Sequence, residues 1–296
     1  MSDPGHTASR ILRAQQIKVF ASFFKKKFFF EKKNQKTFAS PEARRQSCVT
    51  GLFVASLLAA RPAWAGDVVS LNLCTDDLLV TLAPERLAAL SPLARDASLS
   101  VVAGQAAHLP WVRPEAESVL ALHPALVLAS AYGAQATVSL LRARGVRVVT
   151  LPEPANLAGV DAQVTQAAAA LNVPARGHAV LADFHARLAA IHPAHPMPAV
   201  LWEARGFSAG PASFGGDVLH AAGLINAGTG GMMDIETLAA HRPALLITQT
   251  APGTPSLATD MLWHPALAGV RRKTLAPAWL ACAGPWSVAA VEALAR

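Results

Sequence analysis

The sequence predicts an α/β protein built from two halves, each on a parallel sheet, with a helical segment between them. Three observations carry this. Short apolar runs alternate with amphipathic stretches of helix length on both sides of the chain. Some thirty residues from Val160 to Ile191 are rich in Ala, Leu and Gln, broken only by NVPARG at Asn172–Gly177, and read as two consecutive helices. Finally, one phrase occurs once in each half. ESVLALHPALVL from Glu117 and ETLAAHRPALLI from Glu236 align without a gap, and Pro124 and Pro243 each stand seven residues after the glutamate.

The elements follow in order. VVSLNL after Asp67 reads as a buried strand, and Thr75 and Asp76 then open an apolar-periodic helix as its N-cap. RLAALSP, ALVLAS and VRVVTL read as further strands, with VSLLRARG as a helix whose C-cap is Gly145. HPAHPMP from His192 ends the helical segment, and the alternation restarts with AVLWEA, ALLITQ and a strand near Lys273–Leu275. Each copy of the repeated phrase is a short helix begun by an acidic residue, stopped before Pro and delivering the chain into a buried strand.

The N-terminus reads as a targeting segment rather than as fold. Arg44-Arg45, the 13-residue apolar run Cys48–Ala60 and Ala63-Trp64-Ala65 follow one another as charge, apolar core and cleavage site, with the cut expected after Ala65. Thirteen residues fall short of the roughly 20 that span a bilayer. No cysteine stands just after the run, so a lipid anchor is not expected. Residues 1–40, with KKKFFFEKKNQK at their centre, have no period that could build a core and read as a leader outside the native fold, ahead of a signal peptide at 41–65. Beyond Ala65 the chain holds 14 Lys/Arg against 16 Asp/Glu, so the strongly basic balance belongs to the leader. A nucleic-acid footprint of clustered cations is therefore excluded.

The order of these features resembles the periplasmic binding proteins of iron-siderophore, haem and vitamin B12 ABC importers, over residues 67–296. The carrying features are the VVSLNLCTDDLL opening, the two Glu-to-Pro phrases, the intervening helices and GPWSVAAVEAL near the end. The resemblance implies two Rossmann-like lobes joined by a single long helix, the class III architecture of that family. It places an N-terminal lobe at 66–173, the bridging helix at 174–195 and a C-terminal lobe at 196–296. It further implies a periplasmic monomer without cofactor or catalysis, which captures a metal chelate between its lobes and delivers it to an inner-membrane ABC permease. An Fe(III)-siderophore is the first expectation, cobalamin the second and haem the third. Glu117 and Glu236 map by motif onto glutamates that dock on permease arginines, a pairing suited to exposed carboxylates.

Ligand contacts are expected on loops after strand C-termini. Trp111, six residues before Glu117, matches an aromatic that packs on ligand in the vitamin B12 binders. Gly230 stands at the corresponding place in the second half, so that half of an aromatic clamp is missing. Arg95, His108, Tyr132, Arg205 and Trp286 complete the candidates, cations for an anionic chelate and aromatics for a flat one. Trp202 lies inside its strand and is expected in the core.

Three other chemistries have partial signals in the sequence. Gly206-Phe-Ser208-Ala-Gly210 matches the hydrolase pattern G-x-S-x-G, but Pro211 and ASFGG prolong the loop where a nucleophile elbow must enter a helix, which is expected only near Asp217. His178, His185 and His192 recur every seven residues, a stripe along one helix face rather than a metal cage. Cys74 and Cys282 are the two cysteines beyond Ala65, and their spacing leaves a disulfide, free thiols or metal ligation open.

Overall fold

The computed structural model describes residues 66–193, 195–249 and 260–296, so the expected leader, signal peptide and cleavage site lie outside the described residues. The chain opens with β1 (Val68–Ser70), α1 (Leu73–Leu82), β2 (Leu87–Ala89), the four-residue α2 (Ala103–Ala106) and α3 (Ala116–Leu120). Then come β3 (Leu126–Ser130), α4 (Gln135–Ala143) and β4 (Val148–Leu151). These four strands form one parallel sheet in the order β2-β1-β3-β4. Two helices follow directly, α5 (Gly159–Ala170) and α6 (Pro174–Ala189).

The second half contains β5 (Pro198–Leu201), β6 (Phe207–Ser208), α7 (Phe214–Ala221), β7 (Ile225–Asn226), β8 (Gly231–Met232), α8 (Ile235–His241) and β9 (Leu245–Thr248). It ends with β10 (Arg271–Thr274), α9 (Ala278–Ala281) and α10 (Val288–Ala295). Its main sheet is again parallel, in the order β10-β9-β5-β7. β6 and β8 pair antiparallel beside it. The fold is thus the expected two α/β lobes joined through one long helix.

Central strands buried on both faces explain the continuous apolar runs. Leu126 and Leu128 of β3 face the core shared by the two lobes, whereas Val127 and Ala129 face the outer layer with α3 and α4. β9 does the same, with Leu245 and Ile247 inward and Leu246 against Leu238 and Trp202. The shared core runs through Leu78, Val164, Phe184, Leu201, Val218 and Val291.

The helix α6 is fastened at both ends. Near its start, Arg176 donates to Glu85 at 2.7 Å and to the Leu82 carbonyl at 2.9 Å. In its last turn, Arg187 donates to Glu292 of α10 at 2.8 Å. Between them Gly177 lets α6 lie against α5, since a Cβ there would stand 2.5 Å from the Ala168 methyl carbon. The histidine stripe is exposed, and His185 pairs with Asp161 at 2.9 Å. No helix among the described residues is long and apolar enough to cross a membrane.

The repeated phrase is also a repeat in three dimensions. Each copy gives a short helix that feeds a central strand, and His123 and Arg242 before the two prolines are both left-handed, at φ 48° and 43°. That conformation escapes the clash with the proline ring that bars the right-handed helix. Local boundaries differ from expectation in two places. The N-cap of α1 is Asn72, not Thr75 or Asp76, which lie inside the helix and point into the lobe. α7 begins at Phe214, three residues before Asp217, because the Ser213 hydroxyl caps it by accepting from the Gly216 amide at 3.1 Å.

Candidate functional site

In a parallel sheet the strand C-termini share one edge, and the loops leaving that edge carry most of the candidate residues. On the first lobe the loop after β2 is held from below by α1. The Asp76 carboxylate accepts from the Ser91 amide at 3.0 Å and its hydroxyl at 2.5 Å, and Asp77 accepts from Ser100 at 2.6 Å. Burial pushes the Asp76 carboxyl up to about 8 and that of Asp77 up to about 6. Sequence reading saw Asp76 as a helix cap. What it missed is the chain of contacts from that acid to Ser91 and the turn Pro92–Arg95.

Arg95 then carries the brace to the rim. It donates to the carbonyls of Ala106 at 3.3 Å and Leu109 at 2.8 Å, while its guanidinium carbon lies 5.7 Å from the Trp111 ring centroid. Trp111 bridges to Leu90 along the sheet edge and remains 46 % exposed. Arg95 is therefore a support for an outward-facing indole, with a cation–π contact behind it. His108 is exposed on the same loop.

Tyr132 follows β3 and is 71 % exposed. Its backbone is fixed by Ser130, whose hydroxyl donates to the Tyr132 carbonyl at 2.7 Å. Asn72 reaches the same loop, with its side-chain oxygen accepting from the Ser130 amide at 2.9 Å. The phenol is presented by a rigid turn.

On the second lobe, Arg205 is exposed in a left-handed turn at φ 66° after β5. Glu203 beside it accepts from Gln249 at 2.8 Å, and burial raises its carboxyl pKa. The residues that sequence reading missed are Phe207 and Met232. They stand directly opposite each other in the β6–β8 pair and are 48 % and 72 % exposed. Side chains opposite one another on an antiparallel pair share a face. Met232 lies four residues before Glu236, much as Trp111 lies six before Glu117, so an apolar pair stands beside Gly230, where no aromatic was found.

Trp286 is only half-buried yet packs on the shared core, and its indole N–H donates to the Cys282 carbonyl at 2.8 Å. Glu117 and Glu236 are both exposed in the first turns of α3 and α8. Ser208 is fully buried, with its hydroxyl donating to the Gly231 carbonyl and accepting from the Thr229 amide. A nucleophile cannot work from there, and five residues separate it from α7, so Gly206–Gly210 does not form a nucleophile elbow.

Cys74 and Cys282 form a disulfide, which removes both thiolates from the candidate metal ligands. Among the described residues no three His, Cys, Asp or Glu converge on a point.

A sequence model of the family described as periplasmic binding protein matches residues 68–271. Solved structures agree with it. A periplasmic heme binding protein from Pseudomonas aeruginosa is 26 % identical, at a TM-score of 0.59, covering 76 % of this chain and 91 % of that one. The periplasmic heme-binding protein RhuT from Roseiflexus sp. RS-1, solved in apo form, is 24 % identical at a TM-score of 0.64, covering 78 % and 98 %. The periplasmic vitamin B12 binding protein BtuF of Vibrio cholerae is 16 % identical at a TM-score of 0.56, covering 77 % and 94 %. No curated protein matches the chain by sequence.

Proposed function

Because this chain belongs to the periplasmic binding protein family, we propose that it captures a metal-bearing tetrapyrrole between its lobes and hands it to an ABC permease in the inner membrane. The family consists of binding proteins, and the chain is not an enzyme. The observation that carries the ligand class is the pair of exposed apolar rims, Trp111 on one lobe and Phe207 with Met232 on the other. Two apolar jaws suit a broad flat ring better than a compact polar chelate such as a ferric hydroxamate. Heme and vitamin B12 binding proteins among the similar solved structures support the same order, and the siderophore first expected from sequence becomes the second choice.

Each side chain then has a role. Trp111 stacks on one ring face, and Phe207 and Met232 cover the other. Arg205, exposed and held in a fixed turn, pairs with peripheral carboxylates or amides of the ring. Tyr132 offers a phenol oxygen to the metal or to the ring edge. Glu117 and Glu236, outside the cleft, dock on permease arginines.

Tryptophan quenching of the purified protein with haemin, cyanocobalamin and a ferric hydroxamate tests this reading. Saturable quenching at micromolar or lower concentration by haemin or cyanocobalamin is expected, and quenching by the hydroxamate alone overturns it. Delivery to the periplasm through a signal peptide ending at Ala65 is part of the proposal. N-terminal sequencing of the protein from a periplasmic extract should begin at Gly66.

A further inference from the structure

The disulfide joins residues 208 positions apart, and its two ends belong to different lobes. Cys74 lies in the first turn of α1, on the segment that leaves the C-terminal end of β1. Cys282 follows α9, on the segment that leaves the C-terminal end of β10. Both cysteines therefore sit on the ligand-facing edges of their sheets, with Cα atoms 5.3 Å apart.

The two anchor points are stiff. On the first lobe, Asn72 at the start of α1 holds the Ser130 amide of the neighbouring strand. On the second, the Cys282 carbonyl accepts from the Trp286 indole, and the Ser287 hydroxyl donates to the Trp279 carbonyl across the same turn. Cys282 itself is 3 % exposed. A bond between two braced turns transmits a constraint, whereas one between two loose loops would only follow their motion.

Besides the core they share, the lobes are joined among the described residues at two polar points. One is α6, fastened to the first lobe through Arg176 and to the second through Arg187. The other is the Leu157 amide, which donates to Asp217 of α7 at 2.7 Å. Rotation of one lobe about α6 would part the sheet edges and break that hydrogen bond. It is opposed by the disulfide.

We propose that the Cys74–Cys282 bond is a strap across the cleft that limits how far the two lobes of the empty protein can part. Loss of the strap lets the lobes part about α6. This inference does not depend on which chelate is bound.

The test uses ligand-free protein throughout, comparing wild type with C74S/C282S by small-angle scattering and by amide hydrogen exchange. A larger maximum dimension is expected for the variant, with exchange at Leu157 at least tenfold faster relative to Leu128 and Leu246, amides that lie within single lobes. Unchanged dimensions, with Leu157 accelerated no more than those two, overturn the strap. If the double variant does not fold, the same two measurements are made on folded wild type after reduction with a phosphine. Unfolding of both forms also overturns the proposal, because the bond then maintains the fold and not the spacing of the lobes.

Discussion

The guanidinium of Arg95 sits 5.7 Å from the ring centroid of Trp111 while two of its nitrogens are committed to the carbonyls of Ala106 and Leu109. One side chain therefore shapes the loop and backs the indole that the loop exposes. Trp111→Ala is expected to weaken binding of haemin or cyanocobalamin at least tenfold. Arg95→Lys should cost about threefold to tenfold, since an ammonium cannot hold two divergent carbonyls and a ring face at once. Equilibrium titration of both variants checks this. Full affinity in Trp111→Ala would remove the indole from the site.

Opposite that rim, Phe207→Ser and Met232→Ser are each expected to reduce affinity by threefold or more, and the double variant to depart from the product of the two, because the side chains are direct cross-strand neighbours. Circular dichroism should be unchanged, because neither side chain belongs to the buried core.

Glu117 and Glu236 are exposed in the first turns of α3 and α8. Replacing both by Ala should abolish uptake in cells and leave solution affinity as it was. A matching loss of affinity would place them in the ligand site instead.

Asp76 gives a pH dependence of defined sign. Its carboxyl is raised from 3.8 to about 8 by burial, so between those values the folded protein keeps a proton that the unfolded chain has released. Its contribution to stability is complete below about pH 4 and is lost as pH rises to about 8, by an amount on the order of a few kcal/mol. Denaturant midpoints should fall between pH 5 and pH 8.5, and Asp76→Asn should flatten that slope.

Ser208→Ala should lower stability by about 1 kcal/mol, through the lost hydrogen bonds to Gly231 and Thr229, and leave ligand binding intact. Thermal melts and titration measure the two effects separately.

The parts of the fold that could be read from sequence are those in which a strand is buried on both faces. β3 and β9 are unbroken apolar runs because no side of them meets water, and the phrase that precedes each repeats because each half solves the same helix-to-strand junction. Tyr132 was legible as an aromatic just outside such a strand, and Trp111 by its place six residues before Glu117. Phe207 and Met232 were not, because β6 and β8 are two residues long and too short to show alternation. Asp76 looked like a cap because an acid at a helix start nearly always is one. Its partner Ser91 lies 15 residues on, a distance at which local rules say nothing. The cysteine pairing was out of reach for the same reason at a larger scale.

The closure between Cys74 and Cys282 also changes what kind of polymer this chain is. Cys74 and Cys282 stand 208 positions apart, so most of the described residues lie within one covalent ring. The ring cannot be sealed until Cys282 has reached an oxidising compartment, so a copy held among reducing thiols stays linear. On the chain-entropy account, sealing a loop of this length removes unfolded-state freedom worth about 5 kcal/mol. A protease that nicks one surface loop would open the ring without separating its pieces. The two lobes would thus stay together even after a first cut.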